Sequence, residues 1–278
     1  RRLDELGGQG EPPTHPELLD YLATEFRDGG WDVKALIKSV VTSQAYRQSS
    51  LPRGTLAKDD PGNRHYARQS RFRVDAEFVR DSALSISGLL VQKIGGKSVK
   101  PYQPAGYWQH LNFPARRWQA GNGDELYRRS LYTFVCRSFP HPAMVAFDAP
   151  SREECSAERP RSNIPQQALV LLNDPVFVEA AKALAERLLN EGEASDAQRL
   201  EKIFALALTR KPTKPEQDIL LGHLNEQRER YKDDEKSALE LLSTGVKPVD
   251  KSLKPGELAA WTSVSRAMLN LYETTARF

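Results

Sequence analysis

Cysteine is scarce in this chain: 278 residues hold only Cys136 and Cys155. Two thiols cannot build a four-thiolate zinc site, and neither stands in a CxxCH sequence, so no haem is attached to this chain. Two readings of the pair stay open. They form one disulfide closing a loop of about 20 residues in an oxidising compartment, or they remain two thiols in a reducing one. Long apolar runs are also missing; none approaches the roughly 20 residues of a membrane span, so no membrane insertion is expected. The GxSxG nucleophile elbow is absent, and Gly95-Gly96-Lys97-Ser98 is only the tail of a phosphate-cradling GxxxxGK[ST] loop. His15, His65, His110, His141 and His223 are scattered without the paired spacing of a helical zinc motif, so no metal site is expected. An excess of one charge is lacking too. Forty basic residues face 37 acidic ones, a net charge of +3, too small a balance to point to nucleic acid without a concentrated basic face. No signal peptide is visible, and the chain opens on Arg1-Arg2-Leu3-Asp4 without an initiator methionine, which predicts a piece of a longer polypeptide.

What is present is an ordinary globular balance, 39% apolar and 28% charged residues. Basic residues concentrate once, where Arg64, Arg68, Arg71, Arg73 and Arg80 are interleaved with His65, Tyr66 and Phe72. Asp59, Asp60, Asp75, Glu77 and Asp81 stand beside them, so local charge pairing is expected there rather than a nucleic-acid groove.

Helical periodicity dominates. Thr14-His15-Pro16-Glu17 has the spacing of a capping box and starts a helix that runs to about Arg27. Gly29-Gly30 ends it, and Asp32 caps a second helix, giving a helical hairpin. A long helix is expected around 74–90, running until Gly95-Gly96 stops it. Residues 126–139 suit a buried helix or a strand, with helix favoured. Asn173-Asp174-Pro175 separates a helix opening at Pro165 from one spanning 176–189. Amphipathic helices follow at 197–209, 216–231 and 257–271, with 232–242 as a continuation and 245–256 as a linker. The expected fold is mostly α, with minor β, as a main helical domain over 1–190 and a helical subdomain over 191–278.

Two irregular stretches are the site candidates. Between Gly95 and Gly123 eight glycines and prolines are interleaved with Tyr102, Tyr107, Trp108, His110, Phe113 and Trp118; loops of this length are functional or disordered, and the aromatics argue against disorder. Tyr102, Tyr107, Trp108 and Trp118 would offer flat faces to sugar rings, with Arg116, Arg117, Arg129 and Arg152 for acidic groups. The competing reading makes these rings a plug for a core beneath the loop. The second stretch holds His141, Asp148, Glu153 and Glu154. A hydrolase needs one carboxylate as acid and another as base or nucleophile, with Asp148, Glu153 and His141 as the candidate catalytic groups. Against that, Asp148 caps the following turn and Arg152 pairs locally. A third reading is structural, a docking platform for neighbouring domains.

The phrases GEPPTHPELLDYLA at Gly10, DPGNRHYAR at Asp60, Tyr102-Gln103-Pro104, Phe147-Asp148-Ala149-Pro150 and Leu172-Asn173-Asp174-Pro175 stand in one order. In this the chain resembles the C-terminal family of unknown function 1553 found in planctomycete cytochrome c proteins. Val135-Cys136 and Gln167 depart from that pattern, and the aromatic segment that usually precedes the first helix is missing. The resemblance implies an exported protein in the periplasm or cell envelope, which favours a Cys136–Cys155 disulfide. It also implies haem c in an upstream domain of the same polypeptide, with that upstream portion as partner. The expected function is therefore a binding or interaction module, for acidic polysaccharide or a partner domain. A polysaccharide-processing enzyme working through the 148–154 loop is the alternative. The aromatic and carboxylate loops are expected on one face.

Overall fold

The computed structural model describes residues 8, 10–51, 53–104, 106–110, 117–155, 157–192 and 194–277. Among them, the regular structure is helical apart from one two-residue ribbon and isolated bridges, so the fold is mostly α as the periodicity predicts. No described helix is long and apolar enough to cross a membrane. The chain divides into two compact units: unit 1 is Arg1–Arg73, Cys155–Glu158 and Ala276–Phe278, and unit 2 is Val74–Glu154 and Arg159–Thr275.

Unit 1 is built on the expected hairpin, α1 (Pro16–Asp28) and α2 (Val33–Thr42). Gly30 takes the turn at φ 77°, Trp31 follows at φ 63°, and the Trp31 ring meets Phe26 edge-on at 5.3 Å. Asp32 caps α2 as read, accepting the amides of Lys34 and Ala35. The cap of α1 differs from expectation: His15, not Thr14, is the N-cap, and no side chain caps the helix. Proline at the first position needs no amide partner, and the Thr14 hydroxyl lies 3.0 Å from His15 Nδ1 instead. A short α3 (Leu56–Asp59) leads into an irregular segment. Strand β1 (Phe72–Arg73) then pairs antiparallel with β2 (Ala276–Arg277), Phe72 opposite Arg277. In the basic segment the expected pairing appears at Arg80, 3.8 Å from Asp81, while backbone groups hold the Asp60 turn. Asp60 accepts the backbone amides of Arg64 and His65, while Arg68 donates to the carbonyls of Leu56, Asp60 and Pro61. A guanidinium carries five N–H donors, enough to serve several clustered carbonyls of a turn at once.

Unit 2 comprises α4 (Ala76–Ser87), α5 (Pro142–Ala146), α6 (Pro165–Asn173), α7 (Pro175–Asn190), α8 (Asp196–Leu208), α9 (Lys214–Lys232), α10 (Glu235–Leu242), α11 (Pro255–Leu269) and α12 (Tyr272–Thr275). Its centre is α7 against α11. Ala180, Ala181, Ala183 and Ala185 let neighbours approach α7 from several sides, and Trp261 of α11 is fully buried. One cluster gathers Leu184, Leu188, Leu200, Phe204, Leu224 and Trp261; a second gathers Val79, Met144, Phe147, Leu171, Phe177 and Leu269. The domain boundary expected at residue 190 falls inside this unit, where α7 shares one core with α8 and α11.

Three expectations of local structure need correction. Helix α4 stops at Ser87, well before Gly95, because Gly88 adopts the left-handed conformation at φ 81° and its amide returns to Leu84 and Ser85. Residues 126–139 are not a helix. They form short 3-10 turns at Gly123–Tyr127 and Ser130–Tyr132 and bridge in parallel to Val91 and Val99, so tertiary backbone bonds replace helical ones. Residues 232–242 do not extend α9; Asp234 caps a separate α10 by accepting the Ser237 amide.

Candidate functional site

Of the aromatic residues singled out in 102–118, Tyr107, Trp108 and Trp118 come together with Phe139 and His141 in unit 2. Trp108 and Trp118 stack at 5.3 Å, and Trp118 meets the His141 ring edge-on at 6.4 Å. Tyr107 packs on Phe139 at 4.3 Å, and its hydroxyl donates to the Pro140 carbonyl. The Trp118 indole donates to the Pro101 carbonyl at 2.8 Å, the Trp108 indole to Gln103 Oε1. Lys100 lies over the Trp118 and Phe134 rings at 5.6 and 5.2 Å. Trp108 is only 7% exposed. These ring faces lie on one another and on a lysine, the arrangement of a loop packed on its own aromatics. Arg116 lies outside the described residues, as do the side chain of His110 and the whole of Phe113.

The 148–154 loop is arranged around a turn. Asp148, at φ 61°, accepts the Ser162 amide and hydroxyl, each at 2.8 Å, and Gln167 donates to the Ser162 carbonyl. Glu153 and Arg152 are exposed, and Arg152 also has a left-handed backbone. Arg129 stands 3.8 Å from Asp81. Of the three candidate catalytic groups, His141 thus belongs to the aromatic assembly, Asp148 to the closure of the loop, and Glu153 to the surface. Cys136 and Cys155 are not bridged in the structure.

Beneath the aromatic assembly lies a buried polar centre that periodicity did not suggest. Arg80 of α4 sends its guanidinium to the carbonyls of Arg128 and Leu126 and to the Ser130 hydroxyl, at 2.8, 2.5 and 3.1 Å. His141, the N-cap of α5, contacts the Tyr102 carbonyl through Nε2 at 2.7 Å. Asp174 caps α7 by accepting the Val176 amide. The three line a cavity of about 10 Å3 with Met144, Phe147 and Phe177. Burial dominates the acid–base behaviour here. It pulls His141 down to about 4, and nearby Arg80 adds to that. It lifts Asp174 to about 6 against the opposing pull of the Val176 amide and Arg80, and lowers Arg80 to about 10.

A second buried network runs along α7. Glu179 is fully buried and accepts four donors: the hydroxyls of Tyr102 and Tyr127 at 3.1 and 3.0 Å, and the amides of Val246 and Lys247 at 2.8 and 2.7 Å. One turn on, Lys182 donates to the carbonyls of Leu242, Thr244 and Lys247, and Glu186 pairs with Lys247 at 2.6 Å. Burial raises both phenols, with the Glu179 charge adding; Tyr102 is pushed up to about 12. One signal could have exposed this network: three charged residues at helical spacing in a segment otherwise rich in Ala and Leu.

Unit 1 contains a cleft of about 510 Å3 lined by residues that include Pro13, His15, Leu18, Leu22, Arg64 and Tyr66. Tyr66, 47% exposed, stacks on His15 at 4.9 Å. Both Tyr66 and Asn63 have left-handed backbones, at φ 51° and 48°, fixed by the Asp60 and Arg68 bonds. Leu22 also lines a smaller concavity of about 110 Å3 between α1 and α2. No residue of either helix is buried, and Leu18, Leu19, Tyr21, Trp31, Val33 and Ile37 are exposed.

Fold and site together define a mostly helical protein with one unit built around buried polar networks and a smaller unit whose two helices carry exposed apolar residues. The chain belongs to the PSD1 family, proteins of unknown function (DUF1553), whose family model matches residues 1–224. The match ends within α9, before the central helix α11. No curated protein and no solved structure matches the chain.

Proposed function

We propose that this chain is a protein-interaction module and that the α1–α2 face of unit 1, with its cleft, is the docking surface. The observation that carries this is that the hairpin buries no residue of either helix although its apolar positions follow helical period. A helix normally gains its stability by covering that stripe, and exposed apolar patches of this kind mark interaction sites. The cleft beside α1 is lined by Leu18, Leu19 and Leu22 together with Asn63, Arg64 and Tyr66, a surface suited to an apolar side chain flanked by polar backbone. The partner we place first is the remainder of a longer polypeptide in the cell envelope, including the haem c domain that the resemblance implies.

The test is to mix the chain with the preceding portion of its full-length polypeptide and follow association by sedimentation. The Leu19→Glu/Ile37→Glu variant should lose association at least tenfold. Equal association by the variant, or none by the native chain, would overturn the proposal.

An acidic-polysaccharide site keeps support at one place, the exposed Tyr66 ring stacked on His15 beside Arg64. Titration with acidic polysaccharide, read by the effect of Tyr66→Ala, separates it from protein docking. Polysaccharide processing through Asp148, Glu153 and His141 has less behind it, because the Asp148 carboxylate is engaged by Ser162.

A further inference from the structure

We infer that the cavity between α4, α5 and α7 is a binding site for one internal water molecule, which accepts from Arg80 Nε and donates to His141 Nδ1 and to the Asp174 carboxylate. Two side chains carry the argument, each about 95% buried: Arg80 and His141 are both 5% exposed. Each presents to the protein interior one nitrogen without a hydrogen-bond partner, Arg80 Nε and His141 Nδ1. Both residues line the same cavity. Buried nitrogens of this kind are rare, and a bound solvent molecule is the usual way such groups are satisfied.

The chemistry of the walls selects the guest. A guanidinium Nε can only donate. His141 Nε2 lies 2.7 Å from the Tyr102 carbonyl, which can only accept, so Nε2 carries the ring proton. In the neutral ring Nδ1 is then a bare acceptor, and burial beside Arg80 keeps the ring neutral. The guest must therefore accept from one wall and donate to another. A halide cannot donate, and an ammonium or alkali cation cannot accept and would face the Arg80 charge. Water does both, and its second hydrogen is free for the Asp174 carboxylate, of which Oδ1 already accepts the Val176 amide at 3.0 Å. Size agrees. About 10 Å3 is open to the centre of a water-sized sphere, close to the minimum that holds one water. Such a molecule would link the second turn of α4, the cap of α5 and the cap of α7. It would complete the attraction between Arg80 and Asp174, whose direct ion-pair neighbour for Arg80 is Asp81 at 3.8 Å.

The experiment is a crystal structure of the chain at a resolution that shows ordered solvent, with a second crystal soaked in bromide. The expected result is one fully occupied water within hydrogen-bond distance of Arg80 Nε, His141 Nδ1 and Asp174, with no bromide signal there. The His141→Phe variant, whose ring fills similar space without an acceptor, should lose that water. A dry cavity, a bromide peak, or a direct bond from Arg80 Nε to Asp174 would each overturn the inference. The native crystal alone decides the question if the variant does not fold.

Discussion

Gly245 lies so close to Glu179 that a Cβ on it would stand 2.2 Å from the Glu179 carboxyl carbon. Its φ of 87° is also one that L side chains avoid. The loop after α10 can bring the Val246 and Lys247 amides onto the Glu179 carboxylate only because residue 245 has no side chain.

Gly245→Ala should therefore destabilise unit 2 by about 2 kcal/mol or more, adding a steric clash to left-handed strain. Gly192→Ala is the control. Its φ is 88° but nothing lies within 4 Å of a Cβ there, so only backbone strain of roughly 1–2 kcal/mol is expected. Urea unfolding of both variants checks this; equal midpoints would mean that the approach to Glu179 carries no weight.

The Glu179 charge is what two phenols and two amides converge on. Glu179→Gln keeps the shape and removes the charge, so the Tyr102 hydroxyl, held near 12 by burial and by that charge, should titrate lower. The variant also leaves the Lys182 ammonium among carbonyls with one fewer carboxylate nearby, and should cost several kcal/mol. Ultraviolet titration of tyrosinate together with thermal unfolding reads both effects. An unmoved phenol titration would show that burial alone sets the Tyr102 value.

Opposed shifts at Asp174 and His141 make a pH prediction. Asp174 is raised from 3.8 to about 6, so the folded state holds a proton that the unfolded state has released. Its contribution is fully present below about pH 4 and lost as pH rises to 6. His141 is lowered from 6.5 to about 4, so the unfolded state binds the extra proton, and its contribution grows with pH across 4–6.5. The two largely cancel in the native chain. Asp174→Asn removes the falling term, and its stability should climb more steeply from pH 4 to 6.5 than that of the native protein. Parallel urea midpoints across this range would rule the shifts out.

Sequence reasoning succeeded where the deciding interaction is local. Asp32 and Asp174 were read as caps from their own neighbours, and both accept helix amides. It failed where the partner is far along the chain. Residues 126–139 look helical, yet the amides of Val91 and Val99 bond to the carbonyls of Tyr127 and Tyr132, and Arg80 takes the carbonyls of Arg128 and Leu126. Gly88 rather than Gly95 ends α4, a choice between two glycine signals that shows only once the Val91 amide is bonded to the distant Tyr127 carbonyl. The aromatic loop was visible as composition, but whether Trp108 faces solvent or Trp118 depends on Phe139 and His141, which periodicity cannot place beside it. The roles of the α7 charges were not legible because their partners lie some 60 residues later.

Exposed leucines and isoleucines on α1 and α2 should be dispensable for folding. Leu19 and Ile37 are each 55% exposed, and surface substitutions away from special contacts usually stay within about 0.5 kcal/mol. Leu184→Ala in the centre of α7, fully buried among Leu200, Phe204 and Trp261, should instead cost about 2–5 kcal/mol. If Leu19→Glu and Ile37→Glu destabilise the chain nearly as much as Leu184→Ala, the hairpin face is folded against something within the chain and is not a free docking surface. If they leave stability alone and abolish association, the apolar period of α1 and α2 is there for a partner.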